Sequence, residues 1–327
     1  MKKIIVLSIV FFFTLLSVPI YAQNQVNVYL VGSIYQADGS SSVSVWKNGT
    51  LVKKNAKIKE YNHATSIFVS GKDVYCAGHE LKNRLHIATY WKNNVAVSLT
   101  DGTQDARANA ITVVGNDVYV AGEEDGVALY WKNGNAVVLS DKQYRAKANA
   151  IVVVGQDVYV AGVCGTKKGN FATYWKNGTA VYLSKENNSA YANSIAVVGS
   201  DIHVVGLDSN NNRTDIAKYW KNGVATNLEV GGWVTASAIS INGQDVYIVG
   251  RGNGGAKIWK NGVETKLTNG KFRSEAHSVF IKGSDVYVGG EESYGHGSVI
   301  KYWKNGIGID ITKEKDEASS TAMFVGN

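Results

Sequence analysis

The stretch from Ala148 to Leu183, ANAIVVVGQDVYVAGVCGTKKGNFATYWKNGTAVYL, returns along the chain in seven variations, and no other feature narrows the folding options as far. The unit is centred on Tyr-Trp-Lys-Asn-Gly. It places tryptophans at Trp46, Trp91, Trp131, Trp175, Trp220, Trp259 and Trp303, with spacings of 45, 40, 44, 45, 39 and 44 residues. A period of this size marks a repeat architecture, in which each unit buries its apolar faces only against its neighbours.

Each unit holds four apolar runs. In the fourth unit they are Ala148 to Val154, Asp157 to Ala161, Phe171 to Trp175 and Ala180 to Leu183. They are rich in the β-branched and aromatic residues that suit a pleated surface. Gly155-Gln156 and Asn177-Gly178 sit between runs, and Asn-Gly supplies the positive φ angles of a two-residue hairpin. The unit therefore predicts a four-stranded antiparallel meander, with strands a to d. A lone meander exposes both faces, whereas a ring of them leaves only short edges. A parallel β-helix would have shorter coils and no regular Asn-Gly hairpins. The predicted fold is all-β: a seven-bladed β-propeller of four-stranded antiparallel blades. The chain ends support the same count. Gln25 to Gly32 (QVNVYLVG) matches strand b, and Ser320 to Asn327 (STAMFVGN) matches strand a. The C-terminal strand is thus expected to complete the N-terminal blade and close the ring.

Two domains follow: residues 1–22 as a signal peptide and 23–327 as the propeller. Lys2-Lys3 precede an apolar run from Ile4 to Val18, and Ala22 offers a small residue for cleavage. A secreted or periplasmic monomer without a membrane span is expected. The formal charge is +7, and removing Lys2 and Lys3 leaves +5. Much of the excess is the repeated turn lysine, Lys47, Lys92, Lys132, Lys176, Lys221, Lys260 and Lys304, which predicts a cationic rim. Such a rim either attracts an anionic surface or is simply solvated. No nucleic-acid reader motif occurs. Cys76 and Cys164 fall in units that are not neighbours, so no disulfide is expected.

The a–b and c–d turns share one face of a meander, and the b–c and d–a loops share the other. The a–b turns barely change (Gly115-Asn116, Gly155-Gln156, Gly199-Ser200), and the c–d turns are nearly all Asn-Gly. The b–c loops all differ: 79–86, 123–126, 163–170, 207–215, 251–255 and 291–297. Varied loops on a rigid scaffold are where binding tends to reside. The d–a loops bring Tyr61, His63, Arg107, Tyr144, Arg145, Lys147, Tyr191, Trp233, Phe272 and Arg273 to that face. Just inside, one position of strand a is polar in every unit: Thr65, Asn109, Asn149, Asn193, Ser237, His277 and Thr321. The candidate ligand-binding set is Trp233, Arg273, His277, Tyr191, Asn149, Asn193, Asn109, Arg107, Tyr144 and His63. Aromatics would stack on a ligand, while amides and guanidiniums would bond it. The competing reading is that the amides satisfy backbone groups and the aromatics pack between blades. Trp233, the one tryptophan outside the repeat position, leads the set.

Searches for chemistry return little. There is no Gly-x-Ser-x-Gly elbow and no phosphate loop. His79-Glu80 opens like a zinc-protease motif, but Asn83 stands where the second histidine belongs. His63, His79, His86 and His296 share the variable face without ligand spacing. Asp208, Asn210 and Asn212 mimic a calcium loop, which fails at Arg213 and Tyr219. No metal, cofactor or catalytic residue is expected. The unit resembles kelch-type propeller repeats in its Tyr-x-x-Gly strand and following aromatic pair, although only the last unit has the glycine doublet, Gly289-Gly290. It is similar, over the whole mature chain, to secreted bacterial propellers with Tyr-Trp-Lys-Asn-Gly repeats. That resemblance implies the fold and no particular activity. The expected function is a secreted or periplasmic binding protein for a glycan or protein ligand, acting through the variable face. The alternatives are a carbohydrate-active lyase or hydrolase at the channel mouth, and a structural module of the cell envelope.

Overall fold

A computed structural model describes residues 26–35, 41–54, 62–185, 189–209, 214–294, 297–313 and 318–326. The expected signal peptide, Tyr61, His296 and the calcium-like residues 210–213 lie outside them.

The chain is all-β and built from antiparallel four-stranded meanders. In the fourth repeat the strands are β12 (Ala146–Val154), β13 (Asp157–Thr166), β14 (Gly169–Lys176) and β15 (Thr179–Tyr182). Separate four-stranded sheets start on β4 (Asn62–Ser70), β8 (Ala106–Val114), β20 (Thr235–Asn242) and β24 (Arg273–Lys282), and each takes the next three strands in chain order. The meander from β12 and the next, from β16 (Ser189–Val198), merge into an eight-stranded sheet through one parallel bridge, Asn170 to Ser189. In the remaining sheet β28 (Ala318–Gly326) pairs with β1 (Asn27–Tyr35), followed by β2 (Ser41–Lys47) and β3 (Thr50–Lys54).

The tight turns obey their sequences. Asn177 and Gly178 have φ of 49° and 84°, the two positive angles of a type I′ hairpin, and Asn-Gly repeats them in the other meanders. Gly155 alone is positive in its a–b turn (φ 62°). The variable b–c connections differ from the expected loops. β13 runs on to Thr166 and β14 begins at Gly169, so most of 163–170 is ladder around a short turn. The segment 79–86 behaves likewise, with Asn83 and Arg84 at its tip between β5 (Asp73–Lys82) and β6 (Leu85–Lys92). The first strand also starts earlier than its apolar run and pairs this extension, as Ala146 does Cys164. Pairing of the backbone outlasts the apolar pattern, because polar side chains at a rim remain solvated.

Core layers form between successive meanders. One cluster joins Tyr75, Ala77 and Ala88 to Ala108, Ile111 and Trp131 of the next repeat. Another joins Tyr287 and Ile300 to Leu30, Trp46 and Met323. The repeat tryptophans are at most 4% exposed, so the motif residue is the anchor of each layer. Cys76 is buried and Cys164 half-buried, and no disulfide joins them.

Candidate functional site

Every first strand carries a bulge at the polar position singled out in the sequence. Register slips between Ala64 and Ser66, Ala108 and Ala110, Ala148 and Ala150, Ala192 and Ser194, Ala236 and Ala238, and Ala276 and Ser278. In β28 it slips between Ser320 and Ala322, across Thr321. A bulge leaves one residue unpaired and re-aims it. Here it turns the side chain toward the neighbouring meander. Thr65 Oγ1 donates to Ala108 O (2.8 Å), Asn109 Nδ2 to Ala148 O (2.8 Å), Asn149 Nδ2 to Ala192 O (3.0 Å) and Asn193 Nδ2 to Ala236 O (2.9 Å). Three of the proposed ligand amides therefore use a donor to staple adjacent sheets.

The same bulge explains the glycine of Tyr-x-x-Gly. A Cβ on Gly162 would overlap the carbonyl of Lys147, and one on Gly122 or Gly206 would meet Arg107 or Tyr191 in the same way. The glycine is a clearance for the bulged backbone.

The seven first strands line one cavity of about 420 Å3. Asn109, Asn149, Asn193 and His277 lie in its wall. Burial holds the His277 imidazole below its ordinary pKa, opposed by Glu275. One level lies opposite the second-strand tyrosine, or its replacement His203. There Phe68, Phe280 and Phe324 crowd one side, with Phe324 centred 5.2 Å from Phe68 and 5.6 Å from Phe280. Thr112, Val152, Ala196 and Ser240 occupy the equivalent places opposite, so the channel is blocked on one side only.

The variable rim gathers two clusters. In the first, His63, His79 and His86 lie together, with ring centroids 5.5 Å and 4.6 Å apart. Burial first, then His63, His86 and Arg107, push the His79 pKa down to about 3. His63 is also lowered by burial. His86 Nδ1 meets Asp105 at 2.6 Å, and Arg107 bridges Asp105 (3.3 Å) and Glu123 (3.5 Å). Burial works to raise Asp105, but bonds from His86 and the Arg107 charge outweigh it and leave its pKa lowered. Among the described residues, no group of three or more His, Cys, Asp or Glu is arranged to hold a metal ion.

In the second cluster Trp233 and Arg273 share a cleft of about 300 Å3 with Arg251 and Phe272. The Arg251 guanidinium lies 5.3 Å over the Trp233 ring, and its Nε donates to Trp233 O (2.7 Å). Arg251 and Arg273 both bond Glu275. Burial works to raise Glu275, yet Arg273, His277 and Arg251 hold it below the usual carboxylate range. The two remaining candidates stand apart. The Tyr191 hydroxyl is bonded by Asn170 and Ser189, and Tyr144 is half-buried in the turn packed on Gly165.

Three lysines, Lys257 and Lys301 buried and Lys218 half-buried, were not singled out from the sequence. Lys218, Lys257 and Lys301 occupy the third-strand place opposite the clearance glycine, where Thr89 and Thr173 stand elsewhere. Lys257 is held by Glu229 (2.8 Å) and Glu264 (3.0 Å), Lys301 by Glu292 (2.6 Å) and Asp310 (3.2 Å), and Lys218 by Asp208 (3.2 Å). Burial opposes the Lys301 charge, but Glu292, Tyr294 and Asp310 raise its pKa above the ordinary value. The signal was the substitution of Lys for Thr two residues before the repeat tryptophan. The turn lysines do not form an uncompensated cationic rim. Lys92, Lys132, Lys176, Lys221, Lys260 and Lys304 each pair with the aspartate that opens the second strand of the same meander.

The first comparisons give the fold. No protein-family model matches the chain, and no curated protein matches it significantly. Among solved structures, the β-propeller domain of the Trilobed protease from Pyrococcus furiosus is 11% identical, with a TM-score of 0.54, over 89% of this chain and 93% of that one. An acylaminoacyl peptidase of Pyrococcus horikoshii is 11% identical, with a TM-score of 0.51, over 88% of this chain. This chain spans about half (51%) of the length of that peptidase. The chain has a β-propeller fold. At this identity the neighbours show the fold alone. They give the expected glycan-binding function no support and stand against it: both of these similar structures are of peptidases. No helix among the described residues is long and apolar enough to cross a membrane.

Proposed function

We propose that this chain is the propeller part of a peptidase system, a gate that admits extended peptide segments to cleavage chemistry held elsewhere. The observation that carries the reading is the cavity lined by all seven first strands, polar where the bulges lie and half-closed by phenylalanines below, in a fold similar to peptidase propellers. An extended segment presents backbone amides at every residue, and a polar collar can bond them without reading sequence. The three rings stand together, whereas Thr112 and Val152 line the same cavity with smaller side chains.

The architecture behind this reading is seven blades, the eight-stranded sheet counting as two, with β28 closing the ring. The pairing of β28 with β1, and its contacts with both β24 and β4, support it. The Trilobed protease propeller is described as having an open velcro topology, so this seam would set the chain apart from it. Residues 1–22 are read as an export signal on their basic start and apolar run.

The test extends the phenylalanine patch. Thr112→Phe with Val152→Phe introduces a residue that three other repeats already carry at this level. Anisotropy of a short unstructured peptide, blocked at both ends and labelled, is expected to show roughly tenfold weaker binding to the double variant. The melting temperature should barely move. Equal affinity for both proteins, or no peptide binding by the parent chain, overturns the reading.

A further inference from the structure

The cleft around Trp233 is built unlike the rest of the variable rim. Trp233 is 73% exposed, whereas the seven repeat tryptophans are buried. A single exposed ring is ordinary, but two rings sharing one cleft with a polar lining mark an interaction site. Trp233 is not loose: Arg251 lies over the ring and ties its carbonyl. Facing it is Phe272, with Lys271 5.2 Å over its ring and Tyr294 4.7 Å away. Gly254, Gly255 and Gly270 make up part of the wall, and their φ angles of 95°, 105° and 75° suit glycine alone, so backbone stays accessible there.

The charge of the lining points one way. Arg251, Lys271 and Arg273 line the cleft, and no carboxylate does among the described residues. Glu275 engages one nitrogen of each arginine. A guanidinium has five N–H donors, so both arginines keep donors to spare, and the carboxylate fixes their planes. A preset pair of guanidiniums beside two aromatic rings fits a carboxylate tethered to an apolar side chain.

We propose that this cleft binds the free C-terminal carboxylate of a peptide whose last residue is aromatic or large and apolar. The inference rests on the peptide-gating reading and deepens it: such ends are what a peptidase releases. The carboxylate is held by Arg273 and Arg251, and the terminal side chain is stacked on Trp233 and Phe272.

The experiment is calorimetry of the full chain with N-acetyl-Leu-Phe as free acid, N-acetyl-Leu-Phe amide and free phenylalanine. Acrylamide quenching of Trp233, the exposed tryptophan, gives a second readout. The free acid should bind at least about tenfold more tightly than the amide, because the amide lacks the charge that guanidiniums recognise. The free amino acid should bind more weakly than the blocked acid, since its ammonium meets a cationic wall. Arg273→Gln should abolish the preference, Trp233→Ala should weaken binding of acid and amide alike, and the acid should protect Trp233 from quencher. Arg273 and Trp233 are exposed, so neither change should disturb folding. Equal binding of acid and amide, a preference that survives Arg273→Gln, or affinities untouched by Trp233→Ala overturns the proposal. The blocked peptide used for the channel has no free carboxylate. Its dependence on the Thr112→Phe, Val152→Phe variant therefore stands or falls separately from this result.

Discussion

The two ends of the strands follow opposite rules. On the face of uniform turns, five meanders repeat one clamp in full, the first has Asn27 in place of its aspartate, and the fifth has His203 in place of its tyrosine. In the fourth, Asn177 Oδ1 accepts from the Val158 N–H (2.9 Å), its Nδ2 donates to Asp157 (2.8 Å), and Lys176 pairs with Asp157 (3.0 Å) while lying 5.3 Å over Tyr159. On the other face the meanders diverge. One has a knot of imidazoles, two have a buried lysine and a third a half-buried one, each with carboxylates, and one has an exposed tryptophan in a cationic cleft. The clamp joins the second strand to the c–d turn within a meander and fixes register there. With register set at one end, the other end is free to differ. A residue type should therefore have different consequences at the two places.

Tryptophan gives the largest contrast. Trp175→Ala empties a fully buried site in a core layer and should cost ~3–5 kcal/mol of unfolding free energy, by denaturant titration. Trp233→Ala should stay within ~0.5 kcal/mol, as exposed substitutions do. Comparable losses at both would mean that the cleft holds the fold together, and the division between faces would fail.

How much of this was legible follows from the same division. The period, the hairpins and the pairing of the two chain ends could be read because the clamp residues Asp, Tyr, Trp, Lys and Asn recur at fixed places. The polar position was legible as a pattern but not in its use. Asn149 looks the same in a sequence whether its amide points to a ligand or to the carbonyl of Ala192. The bulge that decides this is a register slip, which no side-chain pattern announces. Lys176 reads as a free cation because its partner, Asp157, is distant in sequence and adjacent only across the strand pair. The joining of Trp233 to Arg273 depends on two connections folding over each other, and repeat spacing says nothing about those. The neighbours gave the glycan reading no support, and composition could not have told that in advance.

The buried lysines should show the next largest effect. Glu292→Gln removes the closest counter-charge from Lys301 and leaves an ammonium that is 8% exposed facing Asp310, Tyr294 and the Trp303 ring. Breaking one side of such a pair costs ~3 kcal/mol or more. Replacing both, Lys301→Met with Glu292→Met, should recover most of that loss, because the apolar pair no longer has a charge to desolvate. If the double variant is as unstable as the single one, the ion pair contributes more than its own satisfaction, and this end of the meander is less tolerant than the contrast requires.

The smallest effect distinguishes the imidazole knot by acid. His79 is buried, its Nδ1 has no bonding partner, and its pKa of about 3 lies far below the ordinary histidine value. An unfolded chain takes up this proton near pH 6.5 while the folded chain refuses it, so the contribution to stability is present above 6.5 and lost as pH falls toward 3. The slope approaches ~1.4 kcal/mol per pH unit below 6, but between pH 7 and 6 the loss is only about 0.7 kcal/mol. His79→Phe keeps a ring in the layer and removes the titration, so its stability should fall less steeply below pH 6.5 than that of the parent chain. His63 keeps part of the slope, since burial lowers its pKa as well. The uniform face carries one such group, His203, which burial and then Lys221 lower and which adds to the slope of both proteins; the aspartates there have lowered pKa values through bonds to the turn asparagine and lysine, and they lose stability only as pH falls through the carboxylate range. An unchanged slope in His79→Phe between pH 6.5 and 5 would move the acid-sensitive element away from the knot, and the variable rim would lose the one property that pH can read in it.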